Sequence, residues 1–272
     1  MMCPIPNTPI QYDKGTYVGK KIKQFTVDDI ITSETTFEQD MSSEWHYHTN
    51  PHFSHILLGG SKEIRKDGVE IQKAGKGLYY YPGIPHQNVN YQKNTRIFNL
   101  ELTPGFFKRY DLSVPKESVM FDDHSQLNVN GLVQAMREYY LNDFTAPLAL
   151  HQLCLSLIQC LLSKDETIFP EWAKKISIVM NDCWNQPLSL DFLSAQIGLH
   201  PVTISRYFSH YFNCSAGEYL RKIKIERALS LIRAGNYPLT EIAYRCGFAD
   251  QAHFTKVFIH VTGWKPKQYQ GL

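Results

Sequence analysis

The chain has 272 residues, 43% of them hydrophobic and 20% charged. That composition excludes a disordered chain, a collagen and a coiled-coil rod, and the length suggests two domains. The net charge of +2 conceals a split: 12 basic and 7 acidic residues from Pro170 onward, against 16 and 19 in residues 1–169. A basic half joined to a mildly acidic one points to nucleic-acid contact by the second half.

Met1-Met2-Cys3-Pro4-Ile5-Pro6 has no basic region followed by an apolar run, which argues against a signal peptide. The most apolar stretch, Ala146 to Leu162, is interrupted by His151, Gln152, Ser156 and Gln159 and is short for a membrane span of about 20 residues. The expectation is a cytoplasmic protein without membrane contact. Cys3, Cys154, Cys160, Cys183, Cys214 and Cys246 show neither CxxC nor zinc-finger spacing, so reduced thiols are expected.

Residues 16–104 read as strands and turns. Glu44 to His48, Phe53 to Leu58, Leu78 to Tyr81 and Thr95 to Leu100 are short and rich in aromatic or β-branched residues. Gly59-Gly60, Lys66-Asp67-Gly68 and Pro82-Gly83 punctuate them. Short strands without intervening helices argue for an antiparallel sandwich or barrel. Asn130 to Leu141 and Pro147 to Leu162 have helical spacing, the second with Leu150, Leu153, Leu157 and Leu161 along one face. The polar run Ser163 to Thr167 reads as an inter-domain linker.

From Pro170 the chain reads as helices and contains an internal repeat. Ser189 to Leu199 matches Pro238 to Phe248 at an offset of 49; beyond the turn, Ile204 to Phe208 faces Phe254 to Phe258 at an offset of 50. Each copy has a short helix, a glycine (Gly198, Gly247), a large apolar residue and a second helix. Glycine tolerates the left-handed backbone such a reversal needs. Leu193, Ile197, Leu199, Ile204 and Phe208 are spaced to form one small core, and Ile242, Cys246, Phe248, Phe254 and Phe258 a second. Pro201 suits the first turn of a helix. The second helices then expose Val202, Thr203, Arg206, Ser209 and His210, and Gln251, Ala252, Thr255, Lys256 and Ile259, faces able to read base edges in a major groove. Between the copies, Ser215 and Glu218 form a capping box. A helix from there to Ala234, closed by Gly235, spans about 30 Å, close to the ~34 Å between successive major grooves on one side of a duplex. Arg221, Lys222, Lys224 and Arg227 add charge to this rod.

On these residues, and on Ala243-Tyr244-Arg245-Cys246-Gly247-Phe248-Ala249-Asp250-Gln251-Ala252-His253-Phe254 with Phe258, Gly263, Pro266 and Tyr269, residues 172–270 closely resemble the DNA-binding domain of AraC/XylS-type bacterial transcription regulators. The resemblance implies a seven-helix domain with two helix-turn-helix units bridged by a long helix. It implies that Val202, Thr203, Arg206, Gln251, Ala252, Thr255 and Lys256 face DNA. It also implies promoter DNA and RNA polymerase as partners, with no catalytic residues.

In the first half, His46-Tyr47-His48 places two imidazoles on one strand face. With His52, Gly59 and Pro82-Gly83-Ile84-Pro85-His86, it resembles the two cupin motifs. It departs from them in carrying His52 where the first has Glu, and in being one residue short between Pro82 and His86. His46, His48, His52 and His86 have the chemistry to hold a divalent metal, to contact a small molecule, or to bond the barrel wall. Trp45 or Tyr47, with one of Tyr79, Tyr80 and Tyr81, is expected to line the cavity. The candidate ligand contacts are Trp45, His46, His48, His52, Tyr80 and His86.

The resulting expectation is an α+β protein. Residues 1–165 form a cupin-like antiparallel β-barrel (about 16–104) with dimerisation helices (about 126–162), pairing two subunits through Leu150, Leu153 and Leu157. Residues 170–272 form an all-α DNA-binding domain. The function expected is a transcription regulator controlled by a small molecule, with no cofactor required. The alternatives are a metal-dependent regulator, a cupin enzyme fused to a DNA-binding domain, and a constitutive DNA-binding protein with an inert barrel.

Overall fold

The computed structural model describes residues 8–66, 68–117, 119–121, 129–166, 170–212 and 214–272. Cys3, Thr167 and the first residues of the expected helix from 126 lie outside them. The chain falls into two compact units, Met1–Met120 with Gly131–Gln159, and Phe121–Asn130 with Cys160–Leu272.

Before Pro170 the described elements are β1 (Ile10–Tyr12), β2 (Lys20–Val27), β3 (Ile30–Phe37), β4 (His46–His48), β5 (His52–Leu58), β6 (Gly60–Arg65), β7 (Gly68–Lys73), β8 (Gly77–Tyr80), β9 (Gln87–Val89), β10 (Thr95–Leu102), α1 (Pro104–Arg109), and the helices α2 (Asn130–Leu141) and α3 (Ala146–Glu166) that follow β11 (Val119–Phe121). A six-stranded sheet has the order β11-β8-β5-β10-β3-β2, and a three-stranded sheet the order β7-β6-β9. The expected strands are present and their ladders are antiparallel, except that β1 pairs with β4 in parallel. The expected closed barrel is not: the described strands form separate sheets rather than one continuous ladder.

The corner between the sheets explains why. β5 runs directly into β6 of the other sheet through Gly59 and Gly60, at φ of +70° and +156°, the kind of bend by which a strand switches sheets. A Cβ on Gly60 would lie 2.1 Å from the Gln72 carbonyl oxygen, so only glycine fits.

The central strands are buried on both faces. Side chains of β5 alternate between a cavity (His52, Ser54, Ile56) and the opposite face (Phe53, Leu57); Phe53 and Leu57 are fully buried. On the outer face α2 covers the sheet. Tyr139 lies 5.3 Å from the Phe98 ring, and the Tyr140 hydroxyl donates to the Glu34 carboxylate at 2.6 Å, which also receives Arg96. In α3, Leu150 and Leu157 are buried within the chain and Leu153 is half-buried. The expected pairing face is thus occupied by the subunit's own core. The exposed apolar side chains of the α2–α3 hairpin are Leu141, Phe144 and Leu148. α3 continues through Glu166, so Ser163–Glu166 is helix rather than linker.

After Pro170 come α4 (Glu171–Asp182), α5 (Leu190–Ile197), α6 (Pro201–Phe212), α7 (Ala216–Ala234), α8 (Leu239–Arg245), α9 (Gln251–Thr262) and α10 (Pro266–Gln270), seven helices among the described residues, as the resemblance implies. Gly198 and Gly247 are left-handed, at φ of +74° and +68°. Leu193, Ile204 and Phe208 form one buried cluster with Ile176, Met180, Tyr219 and Ile223, while Ile197 and Leu199 pack at its edge. Ile242, Cys246, Phe248, Phe254 and Phe258 are all buried in the second copy.

Candidate nucleic-acid interface and ligand cavity

Each repeat places a second helix on a small core with one face outward. On α6, Val202 and Arg206 are exposed and Thr203 is half-buried; on α9, Gln251, Ala252 and Lys256 are exposed and Thr255 is half-buried. Ser209, His210 and Ile259 extend these faces, and Ser205 and Tyr207, which spacing alone did not single out, are exposed on α6 as well. Asp250 starts α9 by accepting from the His253 amide at 2.7 Å, which fixes the direction in which the helix leaves the turn.

α7 is held at both ends. The Ser215 hydroxyl accepts from the Glu218 amide at 3.3 Å and the Glu218 carboxylate accepts from the Ser215 amide at 2.8 Å; Gly235 closes the helix at φ +68°. Its 19 residues span about 28 Å. Not all its charge faces solvent. The Lys224 ammonium donates to the Gly247 carbonyl at 2.8 Å and lies 5.6 Å from the centre of the Phe248 ring, tying α7 to the turn before α9; burial lowers its pKa. The Arg227 guanidinium sits over Trp184 at 5.7 Å.

The cavity of the first unit is lined by His46, His48, His52, Tyr80 and His86, as expected, together with Tyr17, Ser54, Gln72, Asn88, Tyr91 and Asn99. The space it encloses, open mouth included, is about 430 Å³. Trp45 is buried but is not among the lining residues, and Tyr47 instead donates to Gln11 at 2.7 Å. Period-two alternation explains this, since Tyr47 lies between the inward His46 and His48 and Trp45 immediately precedes His46. Tyr79 likewise points away, its hydroxyl donating to the Pro115 carbonyl. Tyr12 and Tyr17 approach the histidines from the N-terminal side, with Tyr12 4.7 Å from His46 and Tyr17 5.2 Å from His48.

Sequence reasoning missed a buried carboxylate. Glu63 is fully buried, accepting from Tyr80, Gln72 and Arg65, each at 2.5 Å. Burial alone would raise its pKa, but His86 and Arg65, with these hydrogen bonds, hold it below the usual range. The only signal in the sequence is that Ser61 and Glu63 alternate with Lys62 and Ile64.

His46, His48 and His86 converge, each offering a ring nitrogen within 4.8 Å of the others. His46 Nδ1 lies 2.8 Å from the Glu44 carbonyl and His86 Nδ1 3.0 Å from the Ile84 carbonyl. A carbonyl only accepts, so these nitrogens carry the protons and the Nε2 lone pairs are left free. His48 bonds the Thr16 backbone. His52 lies outside that ligand set, although its ring is 4.4 Å from that of His48, and it stacks on Tyr80 at 4.5 Å. Burial, then the neighbouring His86, lowers His46 to about 4 and His52 to about 3. His48 and His86 are lowered too, burial again first. All four imidazoles are neutral at pH 7.

No helix among the described residues is long and apolar enough to cross a membrane. A family profile described as a helix-turn-helix domain matches residues 193–271. The HTH-type transcriptional activator RhaS of Salmonella arizonae is 31% identical over 85 residues, and so is that of Salmonella newport. The match covers 31% of this chain and 28% of each relative, so the chain matches little more than a quarter of their length. Among solved structures, ToxT from Vibrio cholerae is similar at 13% identity and a TM-score of 0.39, over 90% of this chain and 98% of that one. The C-terminal domain of AraT, a response regulator from Geobacillus stearothermophilus, is similar at 24% identity and a TM-score of 0.36, over 39% and 88%. Taken with the paired helices and left-handed glycines, the profile and the RhaS relatives identify residues 193–271 as a helix-turn-helix domain similar to that of the RhaS activators.

Proposed function

We propose that the chain is a sequence-specific transcription regulator of the AraC/XylS type, responsive to a small molecule in the histidine-lined cavity. The observation that carries this is the pair of outward helix faces, Val202, Thr203 and Arg206 on α6 and Gln251, Ala252, Thr255 and Lys256 on α9, joined by a helix capped at both ends. These faces read base edges in neighbouring major grooves. An effector acts only by favouring one arrangement of the protein over another, so no catalytic step is needed. The proposed partners are promoter DNA, RNA polymerase and a second copy of the chain. Selection of genomic fragments by the purified protein tests the reading. Recovered fragments should share a two-part sequence bound in a salt-dependent way; fragments with no common sequence overturn it.

A second reading is favoured by one observation, the free Nε2 lone pairs of His46 and His86 converging with a ring nitrogen of His48. Neutral imidazoles whose other nitrogen donates to a backbone carbonyl are oriented as metal ligands are, so the residues fit a divalent ion such as zinc or nickel, and a regulator controlled by that ion. Stoichiometric zinc should then raise the melting temperature of the full chain, and His86→Ala should remove the effect. No shift with metal refutes this reading.

A further inference from the structure

Two cations of α7 make contacts within the protein, one to each helix-turn-helix copy. Lys224 and Arg227 stand three residues apart, so they share a face of the helix, and both are half-buried. Lys224 holds the second copy. In the turn between α8 and α9, the Gly247 and Phe248 amides donate back into α8, to the Tyr244 and Ala243 carbonyls at 2.9 and 3.0 Å. The Gly247 carbonyl instead accepts from the Lys224 ammonium at 2.8 Å, and the centre of the Phe248 ring lies 5.6 Å from the same nitrogen, within reach of a cation–π attraction. Arg227 holds the first copy, with its guanidinium 5.7 Å from the centre of the Trp184 ring, in the segment that leads from α4 into α5. The two held segments also meet each other. A Cβ on Gly247 would lie 3.0 Å from Lys224 Nζ and 3.2 Å from the Asn185 carbonyl oxygen. The turn of the second copy is therefore seated between the long helix and the entry loop of the first.

We propose that Lys224 is a positioning residue that locks the second helix-turn-helix unit to α7, so that α6 and α9 meet the duplex as one rigid pair suited to a single half-site spacing. This rests on the DNA-binding reading above and adds a geometric tolerance to it. Lys224 touches no DNA. It fixes beforehand an orientation whose loss of freedom would otherwise oppose binding. Each base pair inserted between the half-sites turns the far one by about 35° around the duplex axis; a locked pair cannot follow that turn, and a hinged pair can.

The test uses the full chain and a two-part duplex recovered by selection, together with versions carrying one base pair more or fewer between the two parts. The parent should lose about tenfold in affinity on either change of spacing. Lys224→Met, which keeps the stem and removes the donor, should bind the original spacing about fivefold more weakly and lose less than about threefold further when the spacing changes. Lys224→Arg, which keeps a charged donor, should restore the steep dependence on spacing. The slope of affinity against salt should be the same for the parent and Lys224→Met, whereas loss of a phosphate contact would lower it by about one. A shallower slope with an equal loss at every spacing assigns Lys224 to a phosphate and overturns the proposal. So does a spacing dependence that Lys224→Met leaves unaltered, or a parent that tolerates all three spacings alike. Failure of the parent to select any sequence sinks the DNA-binding reading itself, and is distinct from each of these results. Melting curves show whether Lys224→Met is folded; if it is not, Lys224→Gln, uncharged and one bond shorter, makes the same comparison.

Discussion

Acidification of the metal-free protein tests the environment of the cavity histidines most directly. His46 titrates at about 4 and His52 at about 3 in the folded chain, against ~6.5 when unfolded. A group whose folded pKa is depressed contributes stability that is fully present above its unfolded pKa and is lost as pH falls toward the folded value. The window for His46 is therefore pH ~6.5 down to about 4, and for His52 down to about 3. At pH 5 the unfolded chain binds these protons and the folded chain does not, so each imidazole costs about 2 kcal/mol relative to pH 7. Two of them cost about 4 kcal/mol, a large part of a domain stability of ~5–15 kcal/mol. His52→Phe keeps the ring stacked on Tyr80 and removes one titrating site. Its loss between pH 7 and 5 should be smaller by about 2 kcal/mol. Urea unfolding of the chelator-treated full chain, followed by hydrogen exchange in peptides from β5 and β8, resolves the first unit. Equal losses in the parent and His52→Phe, or no loss in either, refute the reasoning.

Other consequences can be checked independently. Arg206→Ala and Lys256→Ala should each weaken specific binding by about 1–3 kcal/mol and relax preference at one position, measured by duplex competition. Phe258→Ala removes a fully buried ring 5.6 Å from Phe254 and 5.9 Å from Tyr269, and should cost the second unit about 3–5 kcal/mol by denaturant titration. Gly60→Ala forces a methyl group against the Gln72 carbonyl and should lower stability by more than ~1 kcal/mol, seen as earlier melting.

The second half was legible because its signals are local. A capping box, two glycines and apolar spacing near 3.6 residues fix helix ends and inward faces without reference to distant chain. The cavity was legible only along single strands: His46, His48 and His86 were found, whereas Glu63, Gln72 and Asn88 were not, because pairing across strands brings them inward. Trp45 was placed on the wrong face, although alternation with His46 excludes it. Gly59-Gly60 reads as a hairpin signal, but a corner uses the same residues. The leucines of α3 show an apolar face, and spacing alone does not say whether that face meets its own sheet or another subunit. The ammonium of Lys224 counted as surface charge until its carbonyl partner was seen.

Because α7 is clamped at its first and last turns, its length is quantised. Inserting one residue would swing α9 around the rod axis by about 100° while advancing it by only about 1.5 Å. The lineage of such a protein therefore has little freedom to adjust the gap between its two reading heads gradually. If both heads read DNA as proposed, operators must adapt to the ruler, by shifting or bending their half-sites, because the ruler itself changes tick by tick only at the cost of turning one head away from the duplex.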